Sequence, residues 1–154
     1  MPKRGAATRG PKKASRKRKA GKAPKENATA SARYADVRHA LESEVIRLFP
    51  DARPASDYNM AGWRIPRPRR IESWKGTIDP NFVHIFLAER KNGITLHFWN
   101  PYNPYGLKQN AASFEAAGFK VMVGCLQFNR KGEFPMAAVT GLLERVRGEM
   151  DGER

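Results

Sequence analysis

Two long apolar runs, residues 82–89 and 94–99, form the strongest hydrophobic pattern in the chain. Both are rich in β-branched and aromatic residues, which is typical of β-strands. Asn92 and Gly93 lie between them, and Asn-Gly favours a two-residue type I′ turn because both central residues of that turn need positive φ. Runs with so little polar alternation are typical of strands covered on both faces. The pattern therefore predicts an antiparallel sheet built on a central hairpin.

The predicted turn also sets which residues of the hairpin face each other. With Asn92 and Gly93 at the turn, His97 lies opposite Ala88. His84 then shares that face but lies four residues further along, roughly 13 Å away. Two ligands of one metal ion must each approach it to about 2.1 Å, so we expect no metal site at these histidines. The rest of the chain has no Cys-x-x-Cys, His-x-x-x-His or paired acidic motif.

Apolar residues recur every three or four positions in two other segments, which predicts amphipathic helices. The first spans residues 31–49, with Ser31 as its N-cap and Pro50 at its end. The second opens at Pro135, and residues 150–154 are expected to fray. The apolar stripes consist of Tyr34, Val37, Leu41, Val45 and Leu48 in the first helix and of Met136, Val139, Leu142, Leu143 and Val146 in the second.

A shorter helix and one more strand are predicted between the hairpin and the last helix. Asn103 and Pro104 are typical of a helix start, and this helix should run to residue 117 and end at Gly118. Residues 119–128 predict a strand in which Gly124 marks either a bulge or a crowded position.

Four prolines break residues 51–81 into short pieces, which indicates a loop. We therefore predict an α+β fold: one compact domain over residues 31–150, in which the N- and C-terminal helices pack on an antiparallel sheet.

Charge is distributed very unevenly along the 154 residues. The net charge is +14, and residues 1–25 hold 11 Lys/Arg and no acid, whereas the other 129 residues hold 18 Lys/Arg and 15 Asp/Glu. Residues 1–30 contain no Leu, Ile, Val or aromatic residue, so we predict a disordered tail. It is either a solubilising leader or an arm that binds nucleic acid, or another polyanion, without reading sequence. The candidate contacts are Lys12, Lys13, Arg16, Lys17, Arg18 and Lys19.

A second basic segment lies within the domain, where residues 63–75 combine two tryptophans with five cations. One interpretation is an extended loop whose tryptophans pack in the core while its arginines face water. The other is a cleft, shared with the aromatic segment 102–105, that binds a phosphate-bearing group or single-stranded bases. Its candidate contacts are Trp63, Arg67, Arg69, Arg70 and Trp74.

The sequence points away from several other functions. No apolar run approaches the roughly 18 residues of a membrane span, and no apolar region follows the basic N-terminus as in a secretory signal. The single cysteine, Cys125, lies in an apolar run and is expected to be a buried, unreactive thiol in a reducing cytoplasm. No residues form a recognisable catalytic constellation, so we expect a non-enzymatic protein without cofactor or metal. No oligomeric state is indicated.

Short motifs between residues 34 and 147 resemble the YdhG-like family, a small bacterial domain mostly of unknown function. Residues 57–60 (DYNM) resemble the family's K-Y-G-M-P step, and residues 91–98 (KNGITLHF) resemble K-x-H-I-x-L-Y-F. Residues 118–120 and 126–128 are similar to its G-K-G-x-I-R-F strand. Gly93 stands where the family often has histidine, and Ala61 replaces its proline.

The resemblance implies an alternative function, because some members of this family are proposed to deliver iron in a frataxin-like way. Iron delivery would require exposed carboxylates, since hard cations prefer oxygen ligands. The 15 acidic residues are instead scattered among the basic residues and form no acidic ridge in the sequence.

Overall fold

The computed structural model describes residues 34–129 and 132–154, so the predicted tail and the N-cap at Ser31 lie outside the described residues. In this part of the chain, the helices and strands occur in the following order: α1 (Ala35–Leu48), β1 (Arg53–Asp57), β2 (Met60–Pro66), β3 (Phe82–Arg90), β4 (Gly93–Trp99), α2 (Gly106–Gln109), α3 (Ala111–Ala117), β5 (Lys120–Met122), β6 (Cys125–Phe128) and α4 (Met136–Asp151). No described helix has the length and apolar character needed to cross a membrane.

The strands form one antiparallel sheet in the order β1-β2-β3-β4-β6-β5. The β3–β4 hairpin is central, as predicted, and the fold class is α+β. Both hairpin strands are largely buried. Their alternate residues Val83, Ile85 and Leu87 join the hydrophobic core, and the helices cover that face of the sheet.

The long helices α1 and α4 agree with the apolar spacing of the sequence. Leu41 and Val45 of α1 and Val139 of α4 are almost fully buried in the core. The Arg147 side chain donates a hydrogen bond of 2.8 Å to the carbonyl oxygen of Leu48 at the end of α1, which connects the two helices. The predicted fraying of the last residues is wrong, because Met150 is 2% exposed and α4 continues to Asp151.

The hairpin register differs from the prediction by two residues. The turn comprises Lys91 and Asn92, so His97 pairs with Phe86 rather than with Ala88. Gly93 is the first residue of β4, and a Cβ there would lie 2.5 Å from the carbonyl oxygen of Phe128. This glycine is therefore required by the close approach of β6 and not by a positive φ.

A second hairpin, β1–β2, occupies part of the segment that was predicted to be a loop. Its two turn residues, Tyr58 and Asn59, have φ of 46° and 62°, the left-handed pair that a type I′ turn requires. Pro54 lies on edge strand β1, where the missing N–H of proline is tolerated. Outside the two strands and their turn the prediction of a loop is correct, because residues 51–52 and 67–81 form neither helix nor strand.

The segment after the central hairpin also differs from its prediction. In place of one helix opened by Asn103, two short helices meet at Asn110, and Tyr105 is the N-cap of the first. Gly118 ends α3 with φ of 112°, as expected. The predicted single strand is a hairpin, because β5 and β6 pair across a two-residue turn that contains Gly124 with φ of 72°.

Candidate functional site

The segment of residues 67–81, which we call the 67–81 loop, connects β2 to β3 and is closed at its base by hydrogen bonds. The backbone N–H of Arg67 donates to the carbonyl oxygen of Asn81 at 2.8 Å. The Asn81 side chain accepts from the N–H of Ile71 at 2.7 Å and donates to the Ile71 carbonyl oxygen at 3.0 Å. These bonds hold the two ends of the loop together.

Arg67 connects the loop to the end of the chain. Its Nε lies 2.8 and 2.9 Å from the two carboxylate oxygens of Glu153, and its guanidinium lies 4.3 Å from the centroid of the Tyr102 ring. The Tyr102 hydroxyl donates to Glu153 at 2.6 Å. The hydrogen bonds from Arg67 lower the pKa of Glu153, while burial and the bond to Glu153 raise the pKa of Tyr102.

This network bears on the predicted cleft between the loop and residues 102–105. The two segments do meet, but Arg67, Tyr102 and Glu153 fill the contact, and the side chains of the ion pair are only 13% and 15% exposed. Arg67 is therefore engaged inside the protein and does not present its guanidinium to an external anion, contrary to its predicted role.

The two predicted stacking residues have opposite environments. Trp63 is 7% exposed and belongs to the core, so it offers no ring face to a ligand and its predicted role is wrong. Trp74 is 49% exposed on the 67–81 loop. Its ring meets that of Trp99 edge to face, with centroids 6.3 Å apart. The first interpretation of this segment thus holds for Trp63 and fails for Trp74.

Exposed cations surround Trp74 on the same loop. Arg69, Arg70 and Lys75 are exposed, and Glu72 is the exposed acid among them. A hollow of about 670 Å³ lies beside the Trp74 ring, and its charged lining residues are Arg70, Glu72 and Asp79. Of the five contacts predicted in this segment, the structure therefore places Trp74, Arg69 and Arg70 on one exposed loop. The six predicted contacts at residues 12–19 lie outside the described residues.

Polar residues also line the sheet face that the helices leave uncovered, a placement that was not predicted from the sequence. His84 Nε2–H donates to the carbonyl oxygen of Asp79 at 3.1 Å, and Arg64 lies near Asp57 at 3.9 Å. Burial lowers the pKa of both His84 and His97. Each of these histidines lies between two core residues of its strand, and that period of two was the signal for a second, partly polar face.

The shifted register brings His84 and His97 to diagonal positions on that face, closer than predicted, because His84 pairs with Trp99. The described residues nevertheless contain no group of three or more His, Cys, Asp or Glu that could hold a metal ion. Burial also raises the pKa of the Cys125 thiol, which favours its protonated, unreactive form.

The comparisons with known proteins add no relative. No family model, no curated protein and no solved structure matches this chain. The YdhG-like resemblance and the iron-delivery function that it implies therefore rest on the short sequence motifs alone.

Proposed function

We propose that the protein is a non-enzymatic nucleic-acid-binding protein whose basic N-terminal segment supplies most of the affinity. One observation carries the proposal: of the net charge of +14, the first 25 residues hold +11. A polyanion is the partner whose binding such a density of positive charge favours most strongly. Nucleic acid is such a polyanion, because duplex DNA carries one negative charge per about 1.7 Å of its axis.

The charge balance of the domain supports the assignment of affinity to the N-terminal segment. The described residues hold 15 Lys/Arg and 14 Asp/Glu, so this part of the chain is nearly neutral. Several of its arginines also form ion pairs within the domain: Arg38 with Glu89, Arg47 with Glu44, Arg67 with Glu153 and Arg147 with Asp151. These pairs reduce the charge available to an external partner.

The mechanism follows from the physics of phosphate neutralisation. Each lysine or arginine that contacts a phosphate releases condensed counterions, so the logarithm of the binding constant falls linearly with the logarithm of salt concentration. Binding of this kind reads charge rather than bases, and we expect duplexes of different sequence to bind about equally well.

A charge-removed variant of the full-length protein tests the proposal. Replacement of Lys12, Lys13, Arg16, Lys17, Arg18 and Lys19 by Ser should weaken binding to a random duplex and reduce the magnitude of the salt slope by as much as about 5. A matched control replaces exposed cations of the domain, Arg53, Lys108 and Lys120, and should change affinity and slope far less. The proposal fails if the first variant binds the duplex as tightly as the wild type, with the same slope.

A further inference from the structure

Trp74 is an exposed indole with a fixed position. Besides its contact with Trp99, its ring packs against the backbone of Gly76, where an added Cβ would lie 2.3 Å from Trp74 Nε1 and 2.7 Å from Cε2. An exposed aromatic ring that is seated in this way loses little freedom when a ligand stacks on it.

The loop that carries the ring is held in place at its base. Asn81 closes the loop through its bonds to Arg67 and Ile71, and the ion pair of Arg67 with Glu153 connects it to the end of the chain. Since the loop is closed at both of these points, Trp74 is presented in a defined orientation. A preorganised contact of this kind contributes more to affinity than a mobile one.

The charge around the ring favours an anionic partner. Within five residues of Trp74, the exposed cations Arg69, Arg70 and Lys75 outnumber the exposed acids Glu72 and Asp79. The Asp79 carboxylate accepts hydrogen bonds from the backbone N–H and the side chain of Asn81, so part of its charge is used within the loop. The hollow of about 670 Å³ beside the indole is large enough for a planar ring and its flanking groups. Aromatic stacking with cations on either side is the pattern by which proteins bind unpaired bases.

We propose that an unpaired base of a single-stranded nucleic acid stacks on Trp74, while Arg69 and Arg70 contact the neighbouring phosphates. This inference rests on the proposed function and deepens it, because it assigns the domain a preference for single strands that the basic segment alone would not provide. A duplex cannot make the same contact, since its base faces are already stacked on one another.

The test uses the full-length protein with two probes of equal length, a single-stranded oligothymidylate and a duplex. Trp74→Ala should weaken binding of the single strand roughly 5- to 100-fold and leave duplex binding nearly unchanged. Ile46→Ala is the matched control, because Ile46 is 56% exposed on α1, the helix on the opposite side of the sheet. This control should alter neither affinity.

Two further variants separate stacking from charge. Gly76→Ala keeps the indole but displaces it, and should cause a smaller loss on the single strand alone. Replacement of both Arg69 and Arg70 by Ala should lower the single-strand salt slope by about 0.7 for each phosphate that is no longer neutralised. Quenching of tryptophan fluorescence by the single strand should also decrease in Trp74→Phe, a variant that preserves an aromatic ring.

The outcomes distinguish this inference from the proposed function. If the wild type binds both probes with a steep salt dependence and Trp74→Ala binds the single strand equally well, the inference is wrong and the proposed function stands. Equal losses on single strand and duplex would also overturn it, because stacking on an unpaired base predicts a difference. If the wild type binds neither probe, both proposals are wrong.

Discussion

Arg67 and Glu153 form a bidentate ion pair across 86 positions of the chain, with Arg67 Nε 2.8 and 2.9 Å from the two carboxylate oxygens. The pair joins the base of the 67–81 loop to the residues that follow α4. It lies beneath the Tyr102 ring, whose hydroxyl donates to the same carboxylate. The orientation of the loop that presents Trp74 therefore depends on contacts at the end of the chain.

Arg67→Ala should lower the free energy of unfolding by about 2 kcal/mol, because it leaves the largely buried Glu153 carboxylate without its charged partner. Urea denaturation measures the change. Arg47→Ala is the comparison: its pair with Glu44 lies on an exposed helix surface, where water screens the two charges, so its loss should cost much less. If the two substitutions lowered the free energy of unfolding equally, the Arg67–Glu153 pair would stabilise the fold no more than an exposed ion pair does.

The stabilising effect of the Arg67 pair should depend on pH. Arg67 lowers the pKa of Glu153 below its ordinary value of 4.5, so the folded state binds this proton less readily than the unfolded state. The stability difference between wild type and Arg67→Ala should therefore be complete above pH 4.5 and should diminish as the pH falls through the lowered pKa. Urea titrations at several pH values measure this difference. In the Glu153→Gln background the difference should no longer change with pH in this range.

The periodic segments of the sequence predicted the core of this fold. The register error of two residues left every side chain of the central hairpin on its expected face, because only an odd shift exchanges the faces of a strand. The β1–β2 hairpin was missed since its type I′ turn uses Tyr58 and Asn59 rather than a glycine. At Gly93 the requirement was a close approach to Phe128, which local sequence does not reveal.

His84, which is buried, and His97, which is half-buried, should also make the stability of the fold depend on pH. Burial lowers the pKa of His84 and His97 below the ordinary value of 6.5, so the unfolded chain takes up protons that the folded protein resists. Stability should therefore decrease as the pH falls below 6.5, until the folded residues also become protonated. NMR titration should give pKa values below 6.5 for both, and His84→Gln should reduce the loss of unfolding free energy between pH 7.5 and pH 5.5. Values above 6.5 would contradict the burial of the two rings.

Replacement of glycine by alanine should have opposite effects on stability at Gly62 and at Gly141. A Cβ at Gly62 would lie 1.9 Å from the carbonyl oxygen of Ile85 and 2.7 Å from the Cα of Phe86, so Gly62→Ala should destabilise the sheet by about 3 kcal/mol. Gly141 lies within α4 with nothing within 4 Å of an added Cβ. Gly141→Ala should instead stabilise by about 0.5–1 kcal/mol, because alanine is the better helix former. Thermal and urea unfolding of both variants measure the contrast, and a tolerated Gly62→Ala would show that β2 and β3 pack less closely.

The candidate site was only partly predictable, because some of its contacts join residues that are far apart in the sequence. Trp63 alternates with Ile65 on β2, a period of two that would have placed its indole in the core had the strand been recognised. No apolar residue alternates with Trp74 in the sequence, where Ser73 and Lys75 flank it, and this is typical of an exposed loop residue. The role of Arg67 depends on Glu153, and no local pattern connects residues that are so far apart in the chain.

The backbone of Tyr58 is strained in the β1–β2 turn. Tyr58 has φ of 46° and is 87% exposed, so its bulky side chain incurs the cost of a left-handed backbone while burying little surface. Left-handed geometry costs an ordinary residue roughly 1–2 kcal/mol and asparagine less. Tyr58→Asn should therefore raise the free energy of unfolding by about 1 kcal/mol, whereas Asn59→Ala, at φ of 62°, should lower it by a similar amount. Urea denaturation of both variants measures these changes. A loss of stability in Tyr58→Asn would mean that contacts of the tyrosine ring outweigh the backbone cost, such as contacts at the cavity of about 310 Å³ that Tyr58 borders with Arg64 and His84.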